Sequence, residues 1–160
     1  MKDNFDVQAH MTIWTQVVSV QQHFNDLGWR IRSIAITTMT FTLGAAFFGY
    51  LNATPVPFQD GTVNPAALVP ILGLLIWAMF WFMDALWFHR LLKGAGNAAT
   101  ETEALLNAHG IAANLSGEIY KASPVKVWGR STRRLHTFYL FGAAVLVGTT
   151  VVLYMLPTQP

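Results

Sequence analysis

The sequence predicts an all-α integral membrane protein, with three transmembrane helices and additional amphipathic helices on the cytoplasmic side. Three observations carry this expectation. First, the 160 residues are 53% hydrophobic and 11% charged, with six Trp and eleven Phe, whereas soluble domains average roughly 25% charged. Second, the stretches 33–51, 66–89 and 135–156 are long and apolar. At 1.5 Å per residue each is long enough for a hydrocarbon layer of about 30 Å. Third, the ten Lys and Arg residues all fall on one side of those stretches. They are Lys2, Arg30, Arg32, Arg90, Lys93, Lys121, Lys126, Arg130, Arg133 and Arg134. Basic residues favour the cytoplasmic side. The bias therefore assigns the N-terminus and segment 90–134 to the cytoplasm, and loop 52–65 and the C-terminus to the outside.

Taken in order, segment 10–32 reads as a cytoplasmic amphipathic helix. Ile13, Val17, Val20, Phe24, Leu27 and Ile31 recur in steps of four and three, a heptad-like seam. That seam packs either within the chain or between subunits. Acidic and amide residues such as Asp3, Asp6, Gln21 and Asp26 precede the first long apolar run, a pattern unlike a secretory signal peptide. The first span, 33–51, carries Ser33, Thr37, Thr40 and Gly44 on one face. Such a stripe suits close helix contact or a water-filled path lined by these four residues. Loop 52–65 is rich in Pro and Gly, and Asn64-Pro65 reads as N-cap and first residue of the next helix.

The second span, 66–89, ends in Trp77, Phe80, Trp81, Phe82, Trp87, Phe88, His89 and Arg90. Aromatic and basic residues together mark a membrane boundary. Gly94-Ala95-Gly96 reads as a hinge. From Glu101 to Ala122 a helix is expected, with a seam of Leu105, Ala108, Ala112, Leu115, Ile119 and Ala122 facing the 10–32 helix. Ser123-Pro124 reads as a further helix start. In the third span, 135–156, Gly142, Ala144 and Gly148 predict small-residue contacts.

Enzymatic signatures are absent: no P-loop, GxSxG or HExxH pattern occurs. The chain has no cysteine, and its five His lack metal-ligand spacing. No catalytic residue, metal or cofactor is therefore expected. Two features stand out. Asp84 lies inside a span, where a carboxylate needs a partner or water. Arg30, Arg32, Arg134 and His136 lie at a matching depth. Asp84 is read as a structural ion pair or as part of an acidic ring in an oligomer. The second feature is the basic patch Lys126, Arg130, Arg133 and Arg134, with Arg90 and Lys93 nearby and Trp128 beside it. It reads as a topology signal near anionic headgroups, or as an anion site in which Arg grips phosphate and Trp128 stacks on a base.

The junction Gln22-His23-Phe24-Asn25-Asp26-Leu27-Gly28-Trp29-Arg30-Ile31-Arg32 and the block Phe82-Met83-Asp84…His89-Arg90-Leu91-Leu92 sit within an architecture of three spans and a cytoplasmic helical layer. In this the chain resembles the small transmembrane effectors of bacterial antiphage defence systems, both SLATT-type and the nucleotide-gated effectors of CBASS-like and Hailong-like systems. The resemblance implies an inner-membrane homo-oligomer, with four copies as the working number, that opens a pore. It further implies an anionic nucleotide or oligonucleotide second messenger, made by a soluble synthase encoded nearby. The alternative is a non-conducting membrane scaffold that recruits a soluble cytoplasmic partner.

Overall fold

The structure, a computed structural model, describes residues 2–58, 61–122 and 131–156. Helix α1 runs from Lys2 to Asn52, and a short hairpin follows, β1 (Val56–Phe58) and β2 (Gly61–Val63). A 3-10 turn, Pro65–Ala67, leads into α2 (Leu68–Trp81). A π-helical segment, Phe82–Phe88, joins α2 to α3 (His89–Ala108) without a break. Helix α4 (Leu115–Ala122) and helix α5 (Ser131–Met155) complete the described chain. The fold is all-α apart from the hairpin. Three helical runs, Val7–Asn52, Pro65–Ala108 and Thr132–Met155, are long and apolar enough to cross a membrane.

The segment expected as a separate helix followed by a span is one rod. Its 51 residues extend about 76 Å at the helical rise of 1.5 Å per residue. No proline interrupts it, so nothing in its sequence obliges the helix to bend where the polar half meets the apolar half. The hairpin forms within the loop expected at 52–65, pairing Val56 with Val63 and Pro57 with Thr62. Asn64 caps the next turn as its sequence predicts, its Oδ1 accepting from the Ala66 amide at 2.9 Å. Its Nδ2 also donates to the Tyr50 carbonyl at 3.2 Å, tying the loop back to α1.

Helix α1 and the α2–π–α3 run form a long antiparallel pair. Gly49 meets Ala66, and Thr42 meets Gly73. Further along, Arg32 meets Asp84 and Trp14 meets Glu103. The first step advances seven residues on each side, 49 to 42 and 66 to 73. The next advances ten on α1, 42 to 32, against eleven on its partner, 73 to 84. From there to Trp14 and Glu103 the count is eighteen against nineteen. A π turn closes its hydrogen bonds over one more residue than an α turn. The surplus on the partner side accompanies the segment Phe82–Phe88.

Three expectations for the polar end are corrected. Gly94-Ala95-Gly96 is no hinge: α3 passes through it intact, because packing against α1 outweighs a penalty of about 1 kcal/mol per glycine. Helix 101–122 is instead divided. Gly110 takes φ +79°, the Gly110 amide donates to the Asn107 carbonyl, and the Ile111 amide donates to the Leu106 carbonyl, both at 3.0 Å. These are the two hydrogen bonds of a Schellman stop. The Asn107 side chain holds the turn beyond it, donating to the Ala113 carbonyl at 2.7 Å. Finally, the seam of 101–122 is rotated. Helix α3 buries Ala99, Thr102, Glu103 and Leu106, whereas Leu105 and Ile119 are exposed. On α1 the seam keeps Ile31 buried and Val17, Phe24 and Leu27 half-buried, but Ile13 and Val20 are exposed and Trp14 turns inward to meet Glu103. A buried carboxylate must find donors, and that need sets the rotation ahead of aliphatic burial.

In the apolar half, Ala35, Trp77, Ala85, Leu135, Tyr139 and Leu146 form the core of the three-helix bundle. Of the small residues expected to mediate contact in the third span, Gly142 does so against Trp77. Ala144 and Gly148 are exposed, and a Cβ on Gly148 would meet nothing within 4 Å.

Candidate functional site

The π-helical segment carries Asp84 into the centre of the bundle. Its side chain is 1% exposed, against 29% for Arg32. Arg32 Nε donates to Oδ2 at 2.7 Å, and Nη2 donates to Oδ1 at 3.2 Å. This two-pronged geometry is the strong form of an arginine–carboxylate pair. Tyr139 Oη, from α5, donates to Oδ2 at 3.0 Å. The three apolar helices each supply one member, so the cluster pins all three together. Among the four cationic partners the sequence offered for Asp84, the structure selects Arg32. Tyr139 was missed by the sequence reading, although a phenol in the third span at this depth is the signal that reveals it. Both Asp84 oxygens are engaged within the chain, inside the bundle.

At the end of the bundle carrying the arginines, the second and third spans are joined by polar contacts. His89 Nε2 lies 3.2 Å from Thr132 Oγ1, and Lys93 Nζ donates to the same hydroxyl at 3.1 Å. Lys93 is thereby brought to the first turn of α5, where Arg133 and Arg134 are exposed. Arg90 is exposed one turn before Lys93. Lys126, Trp128 and Arg130, together with the Ser123-Pro124 helix start, lie outside the described residues.

Beside Lys93 is a recess of about 680 Å³ between α1, α3 and α4, lined by Gln21, Asn97, Thr100, Asn114 and Tyr120 among others. Its outer wall, α4, is held by Glu103. That carboxylate accepts from the Ser116 amide at 3.1 Å and the Ser116 hydroxyl at 3.2 Å. It also accepts from Trp14 Nε1 at 3.4 Å. An anionic group at a helix N-terminus is stabilising. Replacing Glu103 with Ala is expected to weaken this anchorage by about 1.5–3 kcal/mol, the range for a hydrogen bond to a charged group. Limited proteolysis between residues 109 and 122 should then accelerate at least severalfold, with Glu103→Gln intermediate. Unchanged cleavage would show that Glu103 does not hold α4.

The four residues read as a contact or pore-lining stripe, Ser33, Thr37, Thr40 and Gly44, are all exposed. The face of α1 that packs inward carries Ile31, Ala35, Thr42 and Ala46. At 100° per residue the stripe lies roughly opposite that face. Thr37 Oγ1 donates to the Ser33 carbonyl and Thr40 Oγ1 to the Ile36 carbonyl, each at 3.0 Å. A Cβ on Gly44 would meet nothing within 4 Å. The structure keeps the stripe on one surface and brings it against no other described helix of the chain. Thr42, on the opposite, inward face, makes the close contact instead, packing against Gly73.

Among the described residues no group of three or more His, Asp or Glu is placed to hold a metal ion. Comparison of the chain with protein-family models, curated proteins and solved structures gave no match.

Proposed function

We propose that this chain is the subunit of a homo-oligomeric, ligand-gated ion channel in a bacterial inner membrane, with its basic end in the cytoplasm. The observation that carries the reading is the position of Ser33, Thr37, Thr40 and Gly44 on the outside of the bundle. A hydroxyl-bearing face turned away from the subunit's own helices suits a neighbouring copy or a shared water path. The polar half supports association as well. Met11, Ile13 and Val20 on α1, Leu105 on α3 and Ile119 on α4 are exposed there, beyond the stretches 33–51 and 66–89 that the sequence assigns to lipid. The placement of all ten Lys and Arg at one end supports the orientation.

In this reading the gating ligand is anionic and nucleotide-like. It is taken at the basic end, where Lys93 joins Thr132 of α5 and the recess opens beside it. A ligand that binds the open form more tightly shifts the population toward it. The biological setting that fits is an antiphage effector that dissipates the membrane potential once a soluble synthase has made the signal.

The second reading, a non-conducting scaffold, rests on the two threonine hydroxyls already satisfied by their own helix, which makes the stripe tolerable against lipid. Ion flux from liposomes carrying the purified protein separates the two. Flux is expected with a nucleotide from a panel of mono-, di- and cyclic nucleotides. The double change Thr37→Leu and Thr40→Leu should lower it at least tenfold while the oligomer persists in detergent. An intact oligomer without flux under every nucleotide supports the scaffold, and a monomer overturns the channel.

A further inference from the structure

Between α2 and α5 the bundle is open on one side. Trp77 fills the inner part of this interface. Its ring packs against Gly142, and its Nε1 donates to the Tyr139 carbonyl at 2.8 Å. Outside it runs a groove of about 550 Å³, walled by Leu74, Ala78 and Trp81 of α2 and by Leu140 and Ala143 of α5. This volume is within the usual range for a small-molecule site, about 300–1,000 Å³. The groove faces the bilayer side, since Ala78 and Leu140 are exposed. Its guanidinium and imidazole sit at one end, where Arg133 and His136 form the lip. From Arg133 to Ala143 the chain advances ten residues, about 15 Å along the helix. That is the depth of one leaflet of a hydrocarbon layer about 30 Å thick.

The lip is suited to phosphate. Trp81 Nε1 donates to His136 Nδ1 at 3.0 Å, so in the neutral ring the hydrogen sits on Nε2, a donor. Arg133 is exposed and makes no ion pair among the described residues. No acidic side chain lines the groove. A guanidinium beside an imidazole N–H grips a phosphate by charge and by hydrogen bonds. A second copy of the chain is a poor occupant of this groove, because a parallel copy seated in it would set its own basic residues against Arg133 at the lip, and like charges repel.

We infer that this groove binds one acyl chain of an anionic phospholipid, whose phosphate is held by Arg133 and His136. A zwitterionic lipid offers the same phosphate, but its ammonium group meets a lip that is already cationic. The site is independent of whether the protein conducts ions.

The test is native mass spectrometry of the full-length protein, delipidated in detergent and titrated with phosphatidylglycerol or phosphatidylcholine of identical chains. Phosphatidylglycerol is expected to bind at least tenfold more tightly. Arg133→Gln should abolish that preference, and Ala78→Trp, which fills the groove from its exposed side, should weaken both lipids. Circular dichroism and thermal unfolding confirm that each variant folds. If one variant fails to fold, the other decides. Equal binding of the two lipids overturns the proposal, as does a preference that survives in folded Arg133→Gln or undiminished binding of both lipids by folded Ala78→Trp.

Discussion

Arg32→Ala is expected to destabilise the bundle by about 3–5 kcal/mol, the range for breaking a buried ion pair from one side. Asp84→Asn is expected to do so by less, about 1–3 kcal/mol. The asymmetry follows from burial. Without Arg32, the Asp84 carboxylate, 1% exposed, keeps only the Tyr139 hydroxyl as a partner among the described residues. Without the Asp84 charge, Arg32, 29% exposed, can carry its guanidinium toward water along its own alkyl stem. The asparagine oxygen still accepts from Tyr139 or Arg32. The double change Arg32→Met and Asp84→Leu should recover much of the loss, because no charge is then left desolvated. Thermal unfolding in a single detergent measures all three. If Asp84→Asn proves the more damaging, the carboxylate organises this cluster in a way that burial does not explain.

Gly142→Ala is expected to destabilise by about 1–3 kcal/mol, through overpacking of a filled interface. A Cβ at this position would overlap Cζ2, Cε2 and Cη2 of Trp77. The indole cannot swing away easily, since its N–H is held by the Tyr139 carbonyl and its ring packs beside Phe138 and Tyr139. Gly148→Ala, on the same helix, meets nothing within 4 Å and should stay within about 0.5 kcal/mol of the parent. Trp77→Phe should relieve part of the Gly142→Ala penalty, giving a non-additive double-mutant cycle. Equal effects at Gly142 and Gly148 would show that the indole does not occupy this notch.

The class of the fold was written into local chemistry. Three long apolar stretches cannot be dissolved in water, and all ten basic residues at one end of them define a polarity that needs no knowledge of packing. The turn at Asn64-Pro65 was legible for the same reason: an N-cap side chain and a proline act within one turn of chain. That Asp84 requires a cation was equally plain, because the cost of a bare carboxylate in lipid is a property of the group itself.

What remained hidden depends on pairs of distant residues. Arg30 and Arg32 are alike in sequence, and only the rotation of α1 against the π-helical segment decides that Arg32 reaches Asp84. The sequence predicts a hinge at Gly94-Ala95-Gly96 and an unbroken helix across Gly110. Packing carries α3 through Gly94 and Gly96, while Gly110 adopts a positive φ and ends it. The stripe of Ser33, Thr37, Thr40 and Gly44 was visible as a pattern, but its outward direction was not. By itself the sequence determined which residues prefer lipid, which end is basic, and where charge must be neutralised. The tertiary structure alone decided which partner neutralises it, which small residue meets an indole, and which face of α1 is left uncovered. Each of these is set by the rotation of one helix about its axis, and that angle is a compromise among contacts far apart in the chain.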